Sequence, residues 1–341
     1  MTQYLAKRLA SSLVTLVGLV VIVFFVTHVL PGDAAAIRLG PNATEADVEA
    51  LRDEFGLDDP MTEQFSSYIG QSARLDLGTS IDSGQPIRNE LFKRLPATVE
   101  LAGAAVLIGA VVGIPLGTLA ALRRGGIIDA FARIIAVLGS SVALFWLGLL
   151  LTFVFYFKLG WLPGPIDRLP LGTTAPPHTT GLYTVDSLLA GDLATFGQAV
   201  RALALPAVTL GFAATAPVLK MVRSSMIGAL ESPYVRTARS LGVAENQVVR
   251  QDAFRNALLP VITVLGITTG YLIGGNIIVE FVFTWPGIGS YAYNALQKSD
   301  LEALQGFVIV VGALYIALNL VIDVCYALAD PRIRLAGGSE Q

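Results

Sequence analysis

Six stretches of this chain are each apolar for roughly twenty residues or more, and that recurrence decides the fold class before any motif is considered. A hydrocarbon core about 30 Å thick is crossed by ~20 residues of α-helix, the form in which every backbone N–H and C=O finds a partner within its own segment. The runs are Leu9 to Leu30, Ala97 to Leu122, Ile127 or Phe131 to Phe157, Ala199 to Met221, Leu259 to Phe283 and Ala303 to Leu328. With 54% apolar and 14% charged residues among 341, and a mean hydropathy of +0.65, the chain is too apolar for a soluble domain of this length. The sequence therefore predicts an all-α integral membrane protein with six transmembrane helices and membrane lipid as its surroundings. The first run is longer than a signal-peptide core and no small-x-small cleavage site follows it, so it is expected to be retained as a helix.

The polar segments set the orientation. Residues 31–96 carry twelve acids against six bases, whereas six bases face three acids between Lys220 and Pro260. Lys7, Arg8, Arg123, Arg124, Arg133, Arg332 and Arg334 fall on the same side as that basic island. The positive-inside rule then predicts cytoplasmic N and C termini, and it places 31–96 outside as a small α-rich subdomain. In that subdomain Thr44 with Asp47 resembles a capping box, and Val48, Leu51 and Phe55 form a stripe ended by Gly56. A second helical piece is expected from Pro60 through Phe65, Tyr68 and Ile69. The Pro-rich and Gly-rich segment 158–197 is expected to be an extended outer loop without a core of its own.

Within the runs, Gly109, Gly113 and Gly117 lie four apart, a pattern that lets two membrane helices approach closely. Gly266, Gly270, Gly274 and Gly275 suggest the same for the fifth run. Glu100 lies near the outer end of its span, where an acid costs little. Asp323 lies a turn from the Asp330 exit, where pairing with a basic residue is the simpler reading. The lone Cys325 excludes an internal disulfide, and with His28 and His178 it builds no metal cluster. The net charge of −3 gives no sign of a nucleic-acid partner.

The most informative polar stretch is Ser232 to Pro260, a basic island between two apolar runs. Ser232 reads as an N-cap, Pro233 as the first helical residue and Gly242 as the residue just past the end. Tyr234, Ala238 and Leu241, with Val235 beside them, give one apolar face, and Arg236, Arg239 and Ser240 lie elsewhere. By residue pattern alone this is a short amphipathic helix, as any loop helix resting on headgroups would be.

The stretch resembles the cytoplasmic coupling loop of ABC-importer permeases, in which a triplet of Glu-Ala-Ala type is followed by three residues and a glycine, with Leu-Pro later. Arg236, Thr237 and Ala238 occupy the triplet, Gly242 the glycine and Leu259-Pro260 the end; seventeen residues lie between Gly242 and Pro260. Arg236 in place of Glu and the longer spacing are similar to the peptide-permease branch, as are Tyr234 to Arg239 and Arg255 to Pro260. Leu30 to Asp33, Asp76 to Ser80, Val279 to Gly289 and Asp330 to Arg334 resemble further segments of that branch. The resemblance implies a type I ABC importer permease of the bacterial inner membrane: 1–30 as tail and first helix, 31–96 as extracytoplasmic subdomain, 97–334 as five-helix core with the coupling loop at 222–258, and 335–341 as tail. It implies a second homologous permease subunit, two ATPase subunits carrying ATP and Mg, an extracytoplasmic substrate-binding protein, and di- or oligopeptide cargo. Nickel chelates, glutathione, opines and oligosaccharides are alternative cargoes in the same branch.

By that resemblance Tyr234, Arg236, Thr237, Ala238, Arg239, Leu241 and Gly242 would couple to the ATPase. Asp76, Gly78, Ser80, Glu280 and Trp285 are candidates for the outer mouth or pathway. The competing reading of Asp76 to Ser80 is a turn at Gly78, and that of Glu280 is a local cap or pair. No G-x-x-x-x-G-K-[ST], H-E-x-x-H or G-x-S-x-G occurs, so the chain carries no recognisable enzyme motif and no cofactor of its own is expected. A secondary transporter, the competing class, would want several buried charges for ion coupling.

Overall fold

The computed structural model describes residues 2–29, 44–46, 49, 59–275 and 277–329. The expected features at Leu30 to Asp33, at Asp47 to Gly56, at Asn276 and at Asp330 to Arg334 lie outside the described residues, as do the side chains of His28 and Cys325. Helices dominate. We label them α1 (Thr2–Val29), α2 (Met61–Ala73), α3 (Ile87–Leu122), α4 (Ile127–Ser141), α5 (Leu144–Leu151), α6 (Tyr183–Leu189), α7 (Leu193–Leu230), α8 (Pro233–Ser240), α9 (Phe254–Gly275), α10 (Ile277–Val282), α11 (Ile288–Gln297) and α12 (Leu301–Ala329). Among the described residues, five segments suffice by length and composition to cross a membrane: Arg8–Val26, Ile87–Leu122, Leu193–Leu230, Glu245–Gly274 and Leu301–Val324. The sixth is α4 with Leu144–Lys158, a pair bent by 108°.

That bend corrects the uninterrupted third span read from sequence. Val142 and Ala143 are both extended (ψ 129° and 126°), which ends α4 and starts α5 anew. No proline marks the place; Gly139, the last buried residue of α4, sits against Phe212 O and the Ala216 side chain, with a Cβ only 2.9–3.0 Å from either. The second span is also longer than expected. Its helix begins at Ile87 and runs through Pro96 and Pro115, so the polar residues before Ala97 belong to a helical approach and not to a loop. The fourth likewise extends from Leu193 to Leu230, beyond Ala199 and Met221, with Pro206 and Pro217 inside it.

The chain forms two compact units, drawn from Met1–Leu95 with Ser290–Ala317 and from Pro96–Gly289 with Leu318–Gln341. In the first, Phe24 of α1 is fully buried against Phe65 and Tyr68 of α2, ring centroids 5.1 and 5.5 Å away. The start of α12 is organised by Asp300, fully buried, which accepts from Ala303 N (3.0 Å), Ser80 Oγ (2.8 Å) and Ile81 N (2.8 Å). Gly306 lies beneath Ile87, too close for a Cβ.

The second unit is centred on α7. The glycine stripe packs as expected: Gly109 meets Ala214, Gly113 meets Val218 and Leu219, and Gly117 meets Leu219 O and Val222, with gaps of 2.9–3.3 Å for an added Cβ. Helix α4 lies antiparallel to α7, and its register is pinned by Asp129. That carboxylate, 1% exposed, takes Arg223 Nε (2.6 Å) and Nη2 (3.0 Å) in a bidentate pair and also Gly125 N (3.0 Å).

Candidate functional site

Helix α8 forms where the sequence punctuates it. Ser232 is extended (φ −69°, ψ 152°) and Pro233 opens the helix. One detail differs from expectation: the Ser232 hydroxyl donates back to Ala229 O and does not cap α8. The far end is a Schellman turn, with Gly242 N donating to Arg239 O (3.0 Å) and Val243 N to Ala238 O (3.2 Å). Gly242 has φ +78°, the left-handed conformation that such a turn requires. Arg239 then holds Glu245 through two hydrogen bonds and staples the turn that follows. Both partners are largely exposed, so the pair acts mainly on the geometry of the turn.

The face that α8 buries is narrower than the pattern suggested. Val235 is completely buried and Ala238 partly so, whereas Tyr234 and Leu241 remain 45% and 78% exposed. Val235, Ala238 and Val243 belong to one apolar cluster with Ala121 of α3, Val222, Met226 and Ala229 of α7, and Val248, Ala253, Ala257 and Val261 at and before the start of α9. Burying Val235 is worth about 1.5–3 kcal/mol. Along the edge of that anchored line stand Tyr234 and Leu241, with Arg236, Thr237 and Arg239 also exposed. The helix is thus fixed by one face to the ends of several spans and presents the other outward.

The outer-mouth candidates divide differently. Glu280 and Trp285 are 0% and 1% exposed, so neither offers a surface to a passing solute in this structure. Thr98 Oγ1 donates to Glu280 Oε1 (2.6 Å) and accepts from Ile288 N (2.9 Å), while the Trp285 indole donates to Ala97 O (2.8 Å). A Cβ on Gly287 would fall on both carboxylate oxygens of Glu280, and one on Gly289 would lie 2.9 Å from Oε2. The Trp-Pro-Gly-Ile-Gly motif is therefore the wrapping of a buried acid, with Thr284 at φ 56° completing the turn. Ser80, in the other unit, is buried on Asp300, and Gly78 (φ +78°) leaves room for the Glu302 carboxylate. Asp76 and Gly78 are the exposed members of that group, and Asp76 Oδ1 accepts from Gly78 N (3.5 Å).

Sequence reasoning also missed the burial of Glu100. Glu100, read as an inexpensive interfacial residue, is 7% exposed and pairs with Arg168 (2.6 Å), a residue of the supposedly coreless loop. Thr184 N and Oγ1 donate to its other oxygen, both at 2.7 Å, and Arg168 also donates to Gly181 O and stacks on Tyr183, 3.6 Å from the ring centroid. The loop has its own nucleus too. Burial pushes the Asp186 carboxyl up, but donation from Thr180 Oγ1 and from the N–H groups of Thr180, Gly181 and Thr179 more than offsets this and holds it below the usual carboxylate range. Replacing Arg168 with Gln would strand Glu100, a loss of about 3–5 kcal/mol for a buried pair. The expected result is rapid proteolytic nicking within 159–192 in detergent, where the wild-type chain resists; equal resistance would remove the pair from the loop's support.

Comparison with known proteins agrees with this geometry. The family described as binding-protein-dependent transport system inner membrane component matches residues 113–335, and its N-terminal membrane-component family matches residues 1–102. The chain is 41% identical over 334 residues to a probable D,D-dipeptide transport system permease protein of Escherichia coli (strain K12), covering 98% of each. It is 34% identical over 338 residues to a dipeptide transport system permease protein of Alkalihalophilus pseudofirmus, covering 98% of this chain and 100% of that one. A glutathione transport system permease protein of Escherichia coli O6:H1 is 35% identical over 334 residues, with 98% and 99% covered. Among solved structures, the inward-facing MetNI methionine ABC transporter matches with a TM-score of 0.50 at 16% identity, over 72% of this chain and 98% of that chain. That likeness is one of fold.

Proposed function

The chain belongs to the inner membrane components of binding-protein-dependent transport systems, and we propose that it is the permease subunit of an ATP-driven importer of di- or oligopeptides. The observation that carries this reading is α8, anchored through Val235 and Ala238 to the ends of the spans while Tyr234, Leu241 and the basic residues face outward. A rigid lever of that kind transmits a push from a soluble partner into the helices it is packed on. In this reading the partner is one of two ATPase subunits, which bind ATP and Mg, and a second homologous permease supplies the other half of the pathway. The termini and α8 lie in the cytoplasm of a bacterial cell, and an extracytoplasmic binding protein delivers cargo to the opposite face. The dipeptide relatives favour peptide cargo, and the glutathione relative favours a second reading, the same machine carrying another small solute.

The test is reconstitution of the chain with its co-purifying subunits in liposomes. Binding-protein-stimulated ATP hydrolysis with peptide uptake is expected; solute movement without ATP by the chain alone would make it a secondary transporter. Gly242 provides the internal control. Nothing lies within 4 Å of a Cβ built there, so a substitution is penalised by φ and not by a clash. Gly242→Val should cost about 1–3 kcal/mol of local order and disconnect hydrolysis from uptake, while Gly242→Asn, which tolerates the left-handed region, should retain most of both. Coupled transport undiminished in Gly242→Val would remove α8 from the coupling path.

A further inference from the structure

Lys220 stands within the α7 span, about 15 Å along the axis from Leu230, and it remains exposed. Its ammonium donates to Ser140 Oγ at 2.8 Å. Ser140 is itself about 20 Å along α4 from Ile127, at the break before Val142. One turn further along α7, Arg223 reaches the opposite way, to Asp129 in the first turn of α4. The two cations therefore diverge, and Lys220 extends toward the middle of the span. Helical side chains tilt toward the N-terminus, so this direction is the natural one for α7. A lysine surrounded by lipid is driven the other way, toward the nearer interface.

Among the described residues no carboxylate pairs with Lys220; its partner is a neutral hydroxyl. A cation turned away from the nearer interface, with its charge uncompensated, is expensive unless it faces water or a transient anion. Discontinuous helices near the bilayer midplane are where transporters build such sites, because the break frees polar groups without exposing them to lipid. Ser141 and the aromatic side chains of Phe145 and Trp146 are exposed at the same break.

We propose that Lys220, with Ser140 and Ser141 at the break of the third span, forms a carboxylate-binding waypoint on the translocation pathway, taking the terminal carboxylate of a passing peptide. This rests on the reading of the chain as half of a peptide pathway. The aromatic pair beside the break supplies a surface for the cargo's side chains, and the single ammonium gives an attraction strong enough to guide but weak enough to release.

The experiment uses the assembled transporter in liposomes, with Cys325→Ala and Ser141→Cys introduced. A sulfonate-bearing methanethiosulfonate is expected to modify Ser141→Cys about tenfold faster than a trimethylammonium-bearing one, after correction for their rates on a free thiol, as one partly exposed charge would produce. The bias should vanish in Lys220→Gln and persist in Lys220→Arg. Peptide uptake per ATP hydrolysed should likewise fall about tenfold in Lys220→Gln and recover in Lys220→Arg. No modification from water, modification without charge preference, or wild-type uptake by Lys220→Gln would each overturn the proposal, as would a second-permease acid whose removal restores Lys220→Gln. If the wild-type assembly imports no peptide, the parent reading has failed, while the labelling bias, which needs no cargo and no Lys220 variant, still decides whether an anion site is present.

Discussion

Replacing Gly287 with alanine is expected to destabilise the full chain severely, by about 3 kcal/mol or more. The new Cβ would occupy the space of both Glu280 carboxylate oxygens, and Glu280 cannot swing aside because it is completely buried and held by Thr98. Overpacking a filled interior costs about 1–3 kcal/mol, and tearing a buried, hydrogen-bonded acid from its partner adds a similar or larger amount. Thr98 is engaged twice, by Glu280 and by Ile288 N, so displacing the acid also loosens the turn that Trp285 pins to Ala97 O. The discriminating measurement is a double-mutant cycle read by thermal stability in detergent. Glu280→Ala alone should destabilise by stranding the Thr98 hydroxyl, but adding Gly287→Ala to it should cost little more, because the atoms the methyl would strike are gone. Equal damage from Gly287→Ala in both backgrounds would mean that something other than this contact demands glycine.

The same cluster shows what local pattern can and cannot convey. Val279 to Gly289 is conspicuous as a motif, and its glycines announce close approach, but nothing within those residues reveals that the object approached is Glu280 or that Thr98, far away in the chain, completes its shell. Glu100 and Arg168 are invisible for the same reason: one alone looks like a surface acid at the end of an apolar run and the other like a solvated loop charge, and only the folded loop brings them to 2.6 Å. The span positions were legible because lipid imposes one requirement on every residue in a window, and the glycine stripe of α3 because its spacing is the helix repeat itself. The break after Ser141 was not, since two serines in an otherwise apolar window leave it reading as continuous; just before the break α4 packs through Gly139 on Phe212 O and Ala216. Helix α8 was legible in its limits, from Pro233 and Gly242, but not in its rotation. A pattern of apolar residues assigns Tyr234 and Leu241 to the buried face, and the spans beneath have room only for Val235 and Ala238.

That rotation sets the second large effect. Exposing a tyrosine and a leucine at the edge of an anchored helix has no benefit for the isolated chain, which would be more soluble with polar residues there. Their natural use is to enter a cleft on the partner that α8 meets, where aromatic and aliphatic anchors carry most of the binding energy. Tyr234→Ala with Leu241→Ala should therefore leave the thermal stability of the purified chain unchanged within experimental error, because neither side chain supports the apolar cluster. In the assembled transporter the same pair should reduce peptide uptake by at least about tenfold, the loss expected when anchors worth ~2 kcal/mol or more are removed from an interface. Val235→Ala should do the reverse: it opens a cavity between α8 and the spans, lowers the stability of the chain by roughly 1–3 kcal/mol, and weakens transport only as far as the lever loosens. A Tyr234→Ala, Leu241→Ala chain that melts early would place those residues in the fold, and one that transports at the wild-type rate would leave the outward face of α8 without a partner.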